Sequence, residues 1–144
     1  MRIKVINKSK YQLAEYSTKE SAGMELRANL ETDLIFKPLE RIFVPTGLFL
    51  EIPVGYGAQI RPRNGLATEK GVTILNSQRL IESDYRGEIC IILVNLSKEN
   101  FVIEDGERIC HMIITKQKKD EWESVDILLD SEQGVEGFGH TGKN

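Results

Sequence analysis

The chain has 144 residues, enough for one domain with a single core and little left for a second. Hydrophobic residues at 40% and charged residues at 28% exclude a disordered chain. The net charge of −3 disfavours a duplex-DNA surface, which needs a basic stripe to neutralise phosphates, but leaves room for a phosphate-bearing small molecule. Short runs rich in apolar or β-branched residues follow one another along the chain. Arg2 to Ile6, Met24 to Leu30, Arg41 to Val44, Gly47 to Ile52, Tyr56 to Arg61 and Val72 to Leu75 read as strands, separated by Pro38, Pro45, Pro53, Gly55 and Gly71. Asn64 to Gly71 predicts one short helix, with Asn64 as its N-cap and Gly71 as its stop. Glu88 to Leu96 and Arg108 to Thr115 are apolar on both faces, which predicts a sheet face covered by another subunit. The predicted class is all-β.

The longest apolar runs are too short to span a bilayer, and no basic, apolar leader is visible, so a cytoplasmic protein without membrane or nucleic-acid partners is expected. Cys90 and Cys110 lie in apolar stretches without metal-ligand spacing and read as small hydrophobes. Trp122 follows a charged run and is expected to pack rather than bind.

Three segments could carry chemistry. Arg61-Pro62-Arg63-Asn64-Gly65 gathers two guanidiniums, a small amide and free N–H groups before the helix, an arrangement that suits an anion. Solvated arginines on a surface turn are the plain alternative. Asn76 to Glu88 concentrates Glu82, Asp84, Tyr85, Arg86 and Glu88 in a predicted hairpin that could hold a base, a water and a sugar; read in isolation, the segment is more simply a solvated, charged turn. The tail from Gln133 to Asn144 is glycine-rich around Phe138, with His140 and Thr141 as donors, and reads as a mobile arm whose aromatic could stack on a ligand. Arg108 and His111 read as polar positions of a strand.

The order of these segments resembles that of the homotrimeric deoxyuridine triphosphate diphosphatase (dUTPase) family, over nearly the whole length and through five motifs. Ala22-Gly23-Met24-Glu25-Leu26-Arg27-Ala28 is similar to the first and Pro62-Arg63-Asn64-Gly65-Leu66-Ala67 to the second. Ile81-Glu82-Ser83-Asp84-Tyr85-Arg86-Gly87-Glu88 is similar to the third, Gly106 to His111 to the fourth and Gly137 to Gly142 to the fifth.

The resemblance implies a jelly-roll-like β-sandwich, residues 1–132, that assembles as a homotrimer, with residues 133–144 as an arm closing over a subunit-boundary site. It implies hydrolysis of dUTP to dUMP and pyrophosphate by a water attacking the α-phosphorus. Mg²⁺ would be held by the triphosphate with no direct protein ligand, Glu25 touching it through water. Glu82 would be the base, and Arg63, Asn64 and Gly65 the phosphate contacts. Asn76, Arg79 and Ile81 would line the base pocket and Tyr85 would carry the sugar. His111, Gln133, Phe138, Gly139, His140 and Thr141 would complete the substrate contacts.

The sequence departs from the family pattern at working positions. Glu82 and Glu25 stand where the family has aspartate, and ~1 Å in a positioned group can cost roughly 100-fold in rate. Asn64 replaces a serine, His111 a glutamine and Gln133 an arginine, while Gln78-Arg79 replace a proline-glycine pair and His140 a serine. Three readings follow: a working dUTPase of reduced turnover, a trimer that binds nucleotide without hydrolysing it, or a hydrolase of another nucleoside triphosphate. The related deoxycytidine triphosphate deaminases share the fold, but their motifs are not visible here. A scaffold without a nucleotide site would have no use for Asn76, Tyr85 and Phe138.

Overall fold

The computed structural model describes residues 1–76 and 78–139, and these form two four-stranded sheets with a small two-stranded one at the side. In chain order the strands are β1 (Lys4–Asn7), β2 (Met24–Arg27), β3 (Leu34–Phe36), β4 (Arg41–Glu51), β5 (Tyr56–Pro62), β6 (Val72–Ile74), β7 (Arg79–Ile81), β8 (Glu88–Asn95), β9 (Phe101–Ile103) and β10 (Arg108–Lys116). The first sheet runs β1-β4-β8-β6 and the second β2-β10-β5-β7, with β3 paired to β9. Every pairing is antiparallel.

The inward faces of the two sheets share one core. Val44, Ile89, Ile91 and Leu93 from the first sheet cluster with Leu26, Ala58, Ile60 and Met112 from the second. Phe36 and Phe101 close the side in an edge-on contact, with ring centroids 5.7 Å apart. Alternation along β8 buries Ile89, Ile91 and Leu93 and turns Cys90 and Ile92 outward, where they are only half covered. Phe43, opposite Ile92, is 68% exposed, so the outer face of this sheet is apolar and open within one chain.

Pro45 does not end a strand. The two runs on either side of it form the single strand β4, because other groups replace the ladder bonds that proline cannot make. The register shifts between Pro45 and Phe49, and across that gap the Thr46 hydroxyl donates to the Ile89 carbonyl at 2.6 Å. The Gly47 N–H donates to the Glu88 carboxylate at 2.8 Å, so Glu88 braces the bulge.

The predicted helix is a single wide turn, Leu66–Lys70, of the π type. Its helical bonding begins earlier than expected, with the Ala67 N–H donating to the Arg63 carbonyl, and no side chain caps it. Asn64 is exposed and is not the capping residue. Gly71 does end the turn, in the left-handed conformation with φ 66°. The segment Asn76 to Glu88 is not a hairpin either. Strand β7 pairs with β5 in the second sheet, while its neighbours β6 and β8 pair in the first, so the segment crosses between sheets and returns.

After β10 the chain leaves the body. Residues 117–139 contain no strand or helix, and Trp122, Ile127, Leu128, Leu129 and Phe138 are all exposed. Trp122 does not pack within this chain, contrary to expectation. Between Asp120 and Gly139 every charged residue is acidic, so an apolar and anionic strap lies without cover from its own chain. Among the described residues no helix is long and apolar enough to cross a membrane.

The loop joining β9 to β10 is fastened by Asp105. Its carboxylate accepts from Lys10 at 2.7 Å and from the Leu30 N–H at 2.8 Å. The Lys10 ammonium, that backbone N–H and the Tyr11 hydroxyl hold its pKa at about 2, against an ordinary 3.8. A depressed carboxylate pKa adds stability that is present above the ordinary value and is lost as pH falls toward 2. In thermal melts Asp105→Asn is therefore expected to unfold below wild type at pH 7, with the gap closing between pH 4 and pH 2. A gap equally wide at pH 2 would mean that the charge is not what matters.

Candidate active site

The first cluster forms where β2, β5 and β10 lie side by side. His111 on β10 is directly opposite Glu25 on β2 and Arg61 on β5. Residues directly opposite in a ladder share a face, so Glu25 and His111 project together. Gly23 lets β2 approach this closely, since a Cβ there would sit 3.2 Å from the Met112 carbonyl.

Two arginines close on Glu25. Arg63 Nε lies 3.3 Å from one carboxylate oxygen and Arg108 Nη1 lies 3.3 Å from the other, with the Glu25 side chain only 15% exposed. Arg63 also donates through Nη1 to the Arg108 carbonyl at 2.8 Å. One carboxylate balances two guanidiniums, which leaves net positive charge and unused donors for an anion.

Sequence reading did not place Arg108 in the site. The reason is a bulge: between Arg108 and Cys110 the β10–β2 register slips by one residue. Ile109 and Cys110 are consequently both buried, and the alternation resumes with Arg108 on the face of Glu25 and His111. Two adjacent core residues after a charged one were the available signal. Burial pushes the Cys110 thiol up to about 12, so it is inert packing.

The second cluster lies on the crossing segment. Ile81 is buried, and the following turn presents Glu82 to solvent, with the Tyr85 N–H donating to the Glu82 carbonyl at 3.1 Å. Tyr85 donates its hydroxyl to the Glu88 carbonyl at 2.9 Å. A Cβ on residue 87 would lie 2.5 Å from that hydroxyl, so Gly87 is what allows the ring to rest there. Arg79 donates to the Cys90 carbonyl and places its guanidinium 5.8 Å from the Tyr85 ring centre. Asn76 is exposed at the start of the segment.

The two clusters do not share a cavity. Glu25 and Arg108 line a cleft of about 610 Å³ with Tyr11, Tyr16 and Arg27, whereas Ile81 and Glu82 line a different one of about 740 Å³ with Tyr56, Asp84 and Lys118. The described arm residues line neither cleft. The Gln133 amide donates to the Glu136 carbonyl at 2.6 Å, Phe138 is fully exposed, and Gly139 has φ 81°. His140 and Thr141 lie outside the described residues.

Among the described residues no three His, Cys, Asp or Glu side chains converge as a metal site. Glu25 supplies a carboxylate, but arginines engage both of its oxygens. That donor set suits a hard cation that arrives with a phosphate ligand and keeps its waters.

The sequence matches the dUTPase family over residues 9–142. The chain belongs to the dUTPase family. It is 50% identical over 142 residues to a protein of Finegoldia magna named deoxyuridine 5'-triphosphate nucleotidohydrolase, covering 99% of both chains. A relative of the same name from Fusobacterium nucleatum is 48% identical, with 99% of this chain and 98% of that protein covered. Among solved structures, a point mutant of the dUTPase of Staphylococcus bacteriophage 80alpha with dUpNHpp superposes with a TM-score of 0.87 at 22% identity, covering 98% of each chain. The dUTPase of phage phi11 of S. aureus gives 0.79 at 17% identity, covering 89% of this chain and 98% of that one. At those identities the structures establish the jelly-roll fold of the family.

Proposed function

We propose that the chain is a dUTP diphosphatase that hydrolyses dUTP to dUMP and pyrophosphate. One observation carries the reading. Arg63, Arg108 and Glu25, drawn from three separate family motifs, converge into a cationic cluster in a chain half identical over its length to proteins named for this reaction. The cluster would take the triphosphate, with Asn64 and Gly65 beside Arg63 and His111 beside Glu25. Mg²⁺ held by the triphosphate and its waters would neutralise phosphate charge.

Glu82 takes the proton of a water whose oxygen bonds to the α-phosphorus. The bond from that phosphorus to the oxygen bridging to the β-phosphate breaks, and pyrophosphate leaves. Asn76 and Ile81 border the uracil, Tyr85 carries the deoxyribose, and Phe138 closes over the base, with Gln133, Gly139, His140 and Thr141 along the arm. Closure of such an arm excludes water from the reacting phosphates.

The reading needs more than one chain, and three observations support a homotrimer. The two clusters border separate clefts, the described residues of the arm line neither, and the outer face around Phe43 and Ile92 is apolar and open. The acidic strap beyond β10 offers a second apolar surface for such contacts. Partners other than nucleotide and sister subunits are not needed.

A second reading, binding without hydrolysis, is favoured by the occupied state of the machinery: Glu25 is closed on by both arginines and Tyr85 is covered by Arg79. The deciding experiment is Mg²⁺-dependent pyrophosphate release from dUTP, dTTP, dCTP and UTP by wild type and Glu82→Asp. Selective dUTP turnover, rising in Glu82→Asp, is the expected result. Silence on all four with dUMP binding retained would leave the second reading, and turnover of another triphosphate in place of dUTP would overturn both.

A further inference from the structure

We propose that Arg79 determines specificity at the nucleoside end: its guanidinium is a resident cover on the Tyr85 ring, and a deoxyuridine nucleotide must displace it. This rests on the reading of Tyr85 as the sugar platform given above.

Arg79 begins β7 opposite Ile60, a fully buried core residue, and alternates with Ile81, which is also buried. Leu80 between them is 60% exposed. The strand therefore starts a charged side chain on its core-facing side, where a cation needs partners. Among the described residues the partners it finds are the Cys90 carbonyl of β8, in the opposite sheet, and the Tyr85 ring, not a carboxylate. Bonding to that carbonyl ties the crossing segment back to the first sheet.

Tyr85 itself is pinned. Its hydroxyl is committed to the Glu88 carbonyl, and its hydroxyl end already fills the space over Gly87. The ring stays, and the arginine is the part free to move. A long side chain held by one carbonyl and one ring face is a cover of modest strength. A cation–π contact at a partly exposed ring corresponds to about a two- to fivefold change in affinity. That is enough to grade nucleosides by how well their sugar replaces a guanidinium on the ring, and too little to close the site.

Glu25 and Arg108 of the phosphate cluster line a cleft that Arg79 and Tyr85 do not line, so the effect of Arg79 belongs to the nucleoside and not to the phosphates. The test is calorimetry of deoxyuridine and of dUMP with the full chain, for wild type, Arg79→Ala and Arg79→Lys. Arg79→Lys keeps the charge but loses the planar face, and melts of each variant report folding. The expected result is tighter binding of both ligands to Arg79→Ala by about two- to fivefold, with Arg79→Lys between it and wild type. Unchanged or weaker binding to Arg79→Ala would overturn the cover while leaving the substrate reading intact. A change seen with dUMP but absent with deoxyuridine would make Arg79 a phosphate contact and would also overturn it. If no variant, nor wild type, binds dUMP, the substrate reading fails and the cover falls with it.

Discussion

Replacing Glu82 with glutamine is expected to reduce dUTP turnover by about 10²–10⁴-fold while leaving dUMP affinity near that of wild type. The amide keeps the length and shape of the side chain and removes the group proposed to accept a proton from the attacking water. Glu82 is exposed on its turn and its backbone carbonyl already receives the Tyr85 N–H, so the turn does not depend on the carboxylate. The loss should fall in kcat, with KM little changed, because the ground-state complex makes the same contacts. Turnover that survived in Glu82→Gln would move the base elsewhere.

Arg63→Ala is expected to act on both binding and chemistry. Losing one preorganised donor to developing phosphate charge costs about 10²–10³-fold in kcat/KM. The substitution also removes the bond to the Arg108 carbonyl and leaves Glu25 with a single cationic partner. Arg108 should then turn more fully to Glu25, which deepens the loss. Steady-state kinetics on dUTP would show the fall in kcat/KM. Calorimetry should show weaker dUMP binding and nearly unchanged deoxyuridine binding, since Arg63 is partnered by Glu25 and Arg108 while Tyr85 is partnered by Arg79 and Glu88. An equal loss for the nucleoside would mean that Arg63 supports the fold of the site and not the phosphate.

The long strands were legible because each is a sustained run of apolar and β-branched residues, as in β8 and β10. Strands β3, β7 and β9 were not, since each has only three residues and, unlike the equally short β6, none stands beside a glycine stop that marks it off. The proline in β4 was misleading for a physical reason: the hydroxyl of Thr46 and the carboxylate of Glu88 do the bonding that the backbone could not. The motif residues could be named through the family resemblance, but their grouping could not. That Arg108 joins Glu25 depends on a one-residue bulge, and that Glu82 faces a different cleft depends on a segment that changes sheets.

The separate placement of Glu82 and the Arg63 cluster has a genetic meaning. When a site is assembled across copies, damage to the base and damage to the phosphate clamp are lesions in different halves of a shared unit. Two inactive alleles, one lacking the Glu82 carboxylate and the other the Arg63 guanidinium, would still supply a sound half each when their products mix. Some boundaries in the mixed assembly would then join two sound halves, and others would join two damaged ones. The heterozygote would be active where each homozygote is silent, and the functional unit would be the boundary between chains.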